Sequence, residues 1–120
     1  MKFPFKPYRS DLVTTLVAEH CHIKGSIHSQ QSVHIDGMVE GEVHSQGEIV
    51  IGEKGRILGK LIGKNIIVAG EIRGPIEATK SLKILKTGKV FGDIVVDQFW
   101  AEEGALYQGQ VNVDSFSSRQ

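Results

Sequence analysis

The chain has 120 residues, 40% hydrophobic and 23% charged, and its 14 basic and 14 acidic side chains cancel to a net charge of zero. That length and balance suit one domain of ordinary globular composition, and a single cysteine, Cys21, excludes an internal disulfide and gives no sign of an oxidising compartment. No uninterrupted apolar run is long enough for a signal-peptide core or a membrane span, so the expected compartment is the cytoplasm.

The first predicted element is a flexible tail, residues 1–13. Phe3, Phe5 and Tyr8 alternate there with Lys2, Lys6 and Arg9, while Pro4 and Pro7 oppose a helix. Such a segment is expected to lie extended in a membrane interface, rings inserted and basic groups at the lipid headgroups. A disordered tail, or one packed on the body of the protein, is the alternative.

From Cys21 onward one phrase recurs, glycine-x-apolar-x-glycine-x-apolar. It reads Gly37-Met38-Val39-Glu40-Gly41-Glu42-Val43, then returns from Gly55, Gly70 and Gly88. A first copy has Cys21 in the leading slot and keeps Ile23, Gly25 and Ile27; a stretched last copy reads Gly104, Leu106, Gly109, Val111. Leading positions lie 15 to 18 residues apart, which marks an array of repeated units. Apolar residues alternate with polar ones inside each unit, as in Val33-His34-Ile35 and Leu82-Lys83-Ile84, the period of a strand buried on one face.

A unit of about 17 residues at ~3.3 Å each has a contour of ~56 Å, enough for one turn round a narrow core. Residues 14–113 are therefore expected to form an all-β, right-handed parallel β-helix, or β-solenoid, of about six coils with three short faces each, followed by a short tail, residues 114–120. A left-handed hexapeptide solenoid would need an apolar residue every sixth position, and these units hold no such register.

Charge is unevenly spread. Residues 11–53 hold one basic and seven acidic side chains, residues 54–89 nine and two, and residues 90–120 one and five. Lys80, Lys83, Lys86 and Lys89 point outward as a solvated surface or as a stripe for an anionic partner. No nucleic-acid motif accompanies them, so nucleic acid is not an expected partner.

Catalytic and cofactor signatures are sparse. Gly59-Lys60-Leu61-Ile62-Gly63-Lys64-Asn65 is one residue short of a phosphate loop and ends in Asn where Ser or Thr would hold magnesium; Gly-x-Gly does not occur. His20 and His22 flank Cys21 at a spacing that would place both imidazoles on one side of a strand, and His28 and His44 should stack in successive coils. Neither pair reaches the ligand count of a zinc site, and no base partner is evident for Cys21. No cofactor, metal site or enzymatic activity is expected.

A solenoid has two open ends of unpaired strand edge, and the flanking segments are too short to cap them convincingly. Phe99, Trp100, Leu106 and Tyr107 gather near one end, either as a plug over the core or as the surface that meets the next subunit. The two roles are compatible.

The repeat, and the sequence Val33-His34-Ile35-Asp36-Gly37-Met38-Val39-Glu40-Gly41-Glu42-Val43 above all, resembles bactofilins, the polymer-forming bacterial cytoskeletal family. The resemblance covers roughly residues 14–113. It implies a right-handed β-helix that polymerises without nucleotide, at the inner face of the cell membrane, as a scaffold for cell-wall or cell-shape proteins. The alternative function is a monomeric binding module that holds an anionic partner on its basic central coils. An enzyme on the solenoid face is a third class, and no acid, base and ligand set recurs across neighbouring coils to support it.

Overall fold

The computed structural model describes residues 14–113, and through them the chain winds six times round one axis. The first coil is β1 (Thr14–Val17), β2 (His22–Lys24) and β3 (Ile27–Ser29); the second is β4 (Ser32–Ile35), β5 (Met38–Glu40) and β6 (Val43–Ser45). β7 (Glu48–Ile51) and β8 (Arg56–Leu58) lead into β9 (Leu61–Val68), which closes the third coil and opens the fourth. β10 (Glu71–Arg73) and β11 (Ile76–Ile84), then β12 (Lys89–Phe91) and β13 (Ile94–Ala101), repeat that arrangement, and β14 (Leu106–Gln108) and β15 (Val111–Val113) finish the sixth coil.

All pairing is parallel, and each coil lies on its equivalent in the next. The first face is the six-stranded sheet β14-β12-β10-β8-β5-β2. The second stacks β3, β6, the leading halves of β9, β11 and β13, and β15; the third stacks β1, β4, β7 and the trailing halves of the same three long strands. The last two join in one sheet because those strands run round the corner between them. Thr79 and Lys80 shift the register there.

Alternation decides what is buried. Inward positions form ladders such as Val33, Ile49, Ile66 and Leu82, or Val39, Ile57, Ile72 and Val90, all fully buried. Each fully buried aliphatic side chain contributes roughly 1.5 to 3 kcal/mol. The one buried polar residue among those described, Ser45, has its Oγ donating to the Gln31 carbonyl at 2.5 Å and accepting from Gly47 N–H at 2.9 Å.

The second glycine of each phrase turns the corner between the first and second faces. At Gly59, φ is +146° and the N–H donates to the Arg73 carbonyl of the next coil at 3.0 Å. A Cβ built there would overlap the carbonyl oxygen of Gly41, the equivalent glycine one coil earlier. Gly25 has nearly the same backbone angle, +142°, but among the described residues no coil lies beneath the first, and a Cβ there meets open space.

Unequal coil lengths have a local cause. Gly52 to Gly55 and Leu85 to Gly88 close four-residue turns, with N–H to C=O distances of 2.9 and 2.7 Å, whereas the second and fourth coils turn through Asp36-Gly37 and Ala69-Gly70.

The register corrects two sequence expectations. Lys89 pairs with Leu106 and Val90 with Tyr107, so the leading slot of the last copy is Ala105, one residue after Gly104, and that copy is not stretched. Tyr107 therefore points inward and Leu106 outward. His20 sits in a turn at φ +75°, not on a strand, so it does not share a strand face with His22.

This geometry predicts unequal costs for two chemically identical changes. Gly59→Ala adds an overlap to a backbone strain of order 1 to 3 kcal/mol, and lowers Tm by about 10 °C or more; Gly25→Ala carries the strain alone and lowers it by a few degrees. Thermal melting under non-assembling conditions measures both.

Candidate functional site

The features with unused bonding capacity are the two ends of the stack. β1, β2 and β3 pair with the second coil only, and the trailing half of β13, β14 and β15 with the fifth only, among the described residues. Each end therefore presents a row of backbone N–H and C=O groups with the geometry of an unfinished sheet.

The first end is small and aliphatic. Val17 is buried, and Ile23 and Ile27 are half-buried against the core. Its turn is tied down by Cys21 N–H donating to the Ala18 carbonyl at 3.0 Å and by an ion pair of Glu19 with Lys54, 3.0 Å apart. The short corner of the second coil lets those turns of the first and third meet. The hydrogen bond and charge of Lys54 hold the Glu19 carboxyl below its usual range, and Glu19 raises the Lys54 ammonium in turn. The link therefore loosens as acid protonates Glu19 or as strong alkali deprotonates Lys54.

The last end is aromatic. Phe99 stands in register above Leu82, and Tyr107 above Val90, so both rings point inward over the core. They meet edge to face with centroids 5.3 Å apart, which closes that end of the core while leaving Tyr107 43% exposed. Trp100 and Leu106 point the other way. Trp100 is in register with Lys83 on the third face, 64% exposed, with the Lys83 ammonium 5.7 Å from its ring centroid; Leu106 stands on the first face. The four residues grouped by sequence thus divide into two that close the core and two on side faces.

Lys80, Lys83, Lys86 and Lys89 all belong to the fifth coil and run round its perimeter: a corner, the third face, a turn and the first face. Elsewhere on the first face, Arg73 Nε donates to Glu71 at 2.5 Å and its guanidinium lies 4.5 Å from the Phe91 ring centroid. His28 and His44 stack as expected, with ring centroids 5.6 Å apart. His22 pairs with Glu40 at 2.5 Å and His34 with Asp36 at 3.2 Å. Among the described residues no three metal-ligating side chains come together, and no helix is long and apolar enough to cross a membrane. Lys2, Phe3, Phe5, Lys6, Tyr8 and Arg9 lie outside the described residues.

Sequence reasoning missed Leu16 and Val113, exposed by 61% and 64% on the first and last coils. The signal was available in Thr14-Thr15-Leu16-Val17, where alternation places Leu16 opposite to the buried Val17.

Comparison with known proteins gives a consistent result. The sequence matches the family model Bactofilin, described as polymer-forming cytoskeletal, over residues 15–112. It is 28% identical over 104 residues to bactofilin BacP of Myxococcus xanthus strain DK1622, a match covering 87% of this chain and 43% of BacP. The chain thus spans less than half of that relative. Identity to bactofilin BacO of the same organism is 23% over 111 residues, covering 92% of this chain and 88% of BacO. Among solved structures, a cryo-EM reconstruction of Thermus thermophilus bactofilin double helical filaments superposes with a TM-score of 0.74 at 25% identity, covering 81% of this chain and 98% of that one. A crystal structure of a mutant of that bactofilin gives 0.71 at 23% identity, covering 75% and 100%.

The inward and outward pairs at the last end have different expected costs. Phe99→Ala uncovers the core and costs about 2 kcal/mol, whereas Trp100→Ala removes an exposed ring and costs under about 1 kcal/mol. Urea unfolding of the non-assembled protein distinguishes them.

Proposed function

The chain belongs to the bactofilin family of polymer-forming cytoskeletal proteins, and on that premise we propose that it assembles end to end, without nucleotide, into paired filaments that line the inner face of the cell membrane and organise cell-wall or cell-shape machinery. The observation that supports the assembly most directly is the pair of open ends, each with three strand edges unpaired among the described residues. A second copy can continue the backbone ladder from either end.

The magnitudes agree. Ile23 and Ile27 at one end, and Phe99, Tyr107 and Val111 at the other, are only partly covered. Burying about five such side chains at roughly 1.5 kcal/mol each gives ~8 kcal/mol. Several strand hydrogen bonds at about 1 kcal/mol net apiece add to this, against an association cost of about 4 to 15 kcal/mol. Acidic side chains near both ends, Glu19, Asp36 and Glu40 at the first and Asp97, Glu102 and Glu103 at the last, oppose the contact, so salt strengthens it.

Membrane attachment is assigned to residues 1–10, with Phe3, Phe5 and Tyr8 in the interface and Lys2, Lys6 and Arg9 on anionic headgroups. Each basic residue adds about 1 kcal/mol, so one chain holds weakly and a filament holds firmly by avidity.

Purified protein is expected to form filaments on negatively stained grids without ATP, GTP or divalent metal, and Phe99→Arg to leave a folded β-rich monomer or dimer. A sharp monomer peak for the unsubstituted chain at high concentration and moderate salt would contradict the first expectation; unchanged filaments of Phe99→Arg would contradict the second. Removing residues 2–9 is expected to abolish co-sedimentation with anionic vesicles and to spare polymerisation. Equal pelleting of both chains would refute the membrane assignment.

A further inference from the structure

The three side faces differ in what they show to solvent. The first mixes charged residues such as Glu40, Arg56, Glu71 and Arg73 with the apolar Leu58 and Phe91 at outward positions. The second has one outward position per strand and is polar at both ends, His28 and Asn112. The third carries a column of Leu16, His34, Val50, Ile67, Lys83 and Trp100, one residue per coil in strict register. Its most exposed apolar members, Leu16 at 61% and Trp100 at 64%, stand on the first and last coils.

We propose that this third face is the surface along which two filaments of this chain pair side by side, an assignment that rests on the filament reading above. Three observations select it and name a second copy as its occupant. Among its outward positions only Glu48 and Lys83 are permanently charged, and they cancel, so two like faces meet without net repulsion. Four of the six column residues are apolar, and Leu16 and Trp100 stand at its two ends, so end-to-end joining places an apolar residue on each side of every joint. The second face places the polar His28 and Asn112 at those joints instead.

The size of the face sets when pairing occurs. Six rungs at ~4.8 Å by four residues at ~3.3 Å give about 380 Å² per copy, or about 760 Å² per facing pair. Stable specific interfaces bury at least about 1,200 Å², so two isolated subunits do not hold. A run of joined subunits does, because each further contact is made at high effective concentration. Lateral pairing therefore follows polymerisation.

β9 supplies the test and its control in one strand. Ile67 is its half-buried outward residue on the third face, and Ile62 its half-buried outward residue on the second. Electron microscopy of full-length Ile67→Lys is expected to show single filaments, with the width of the unsubstituted pairs halved, while Ile62→Lys filaments stay paired. Val50→Lys, one coil earlier on the same face, is expected to repeat the Ile67→Lys result, and circular dichroism verifies that each variant folds. Pairing retained in folded Ile67→Lys and Val50→Lys, or lost only in Ile62→Lys, would overturn the assignment. So would paired Ile67→Lys filaments that no longer pellet with anionic vesicles, since the face would then belong to the membrane. An unsubstituted chain that forms no filaments at all would instead overturn the polymer itself.

Discussion

Backbone pairing between one coil and the next is the interaction on which this protein rests. Among the described residues no strand has a partner within its own coil, so their ladder hydrogen bonds are made to neighbouring coils. The spacing leaves no room for a side chain where the second-slot glycines pass over one another, as at Gly41 and Gly59, and it lines up the buried aliphatics. A structure whose cohesion comes entirely from stacking is unfinished wherever stacking stops. The open ends through which assembly is proposed are a consequence of the rule that folds the chain.

Division of labour among the surfaces follows. Inward positions supply the core and, on the last coil, an edge-to-face closure by Phe99 and Tyr107 that leaves the strand edges available. Outward positions are released from packing and differ from face to face: ion pairs round Glu71 on the first, stacked histidines on the second, a column with four apolar residues of six on the third. A side surface built of six registered rungs is modest for one subunit and long for a filament, so weak contacts acquire weight only after ends have joined.

Much of this was legible in the sequence because the repeat carries it. The alternation in Val33-His34-Ile35 gives strand and burial together, and glycine at fixed slots gives the corners. What escaped came from places where the repeat tolerates substitution. Ala105 occupies the last leading slot, closing the turn from Glu102 by the same N–H to C=O bond that Gly55 and Gly88 make in earlier coils; a glycine one residue away drew the register to itself and reversed Leu106 and Tyr107. His20 in a turn, with Cys21 in a glycine slot, shows the same freedom at the opposite end, where no coil among the described residues lies beneath to forbid a side chain. The third-face column was hidden because its members lie about 17 residues apart, and only the register brings them into line.

Diffraction from aligned filaments tests the central claim most directly. If subunits join by continuing the coil stack, a reflection at about 4.8 Å lies on the meridian, along the filament axis, and its sharpness exceeds what a stack of six coils can give. A reflection at that spacing on the equator, or a meridional one no sharper than a single subunit produces, would mean that the ladder stops at each subunit and that the ends are joined by something else.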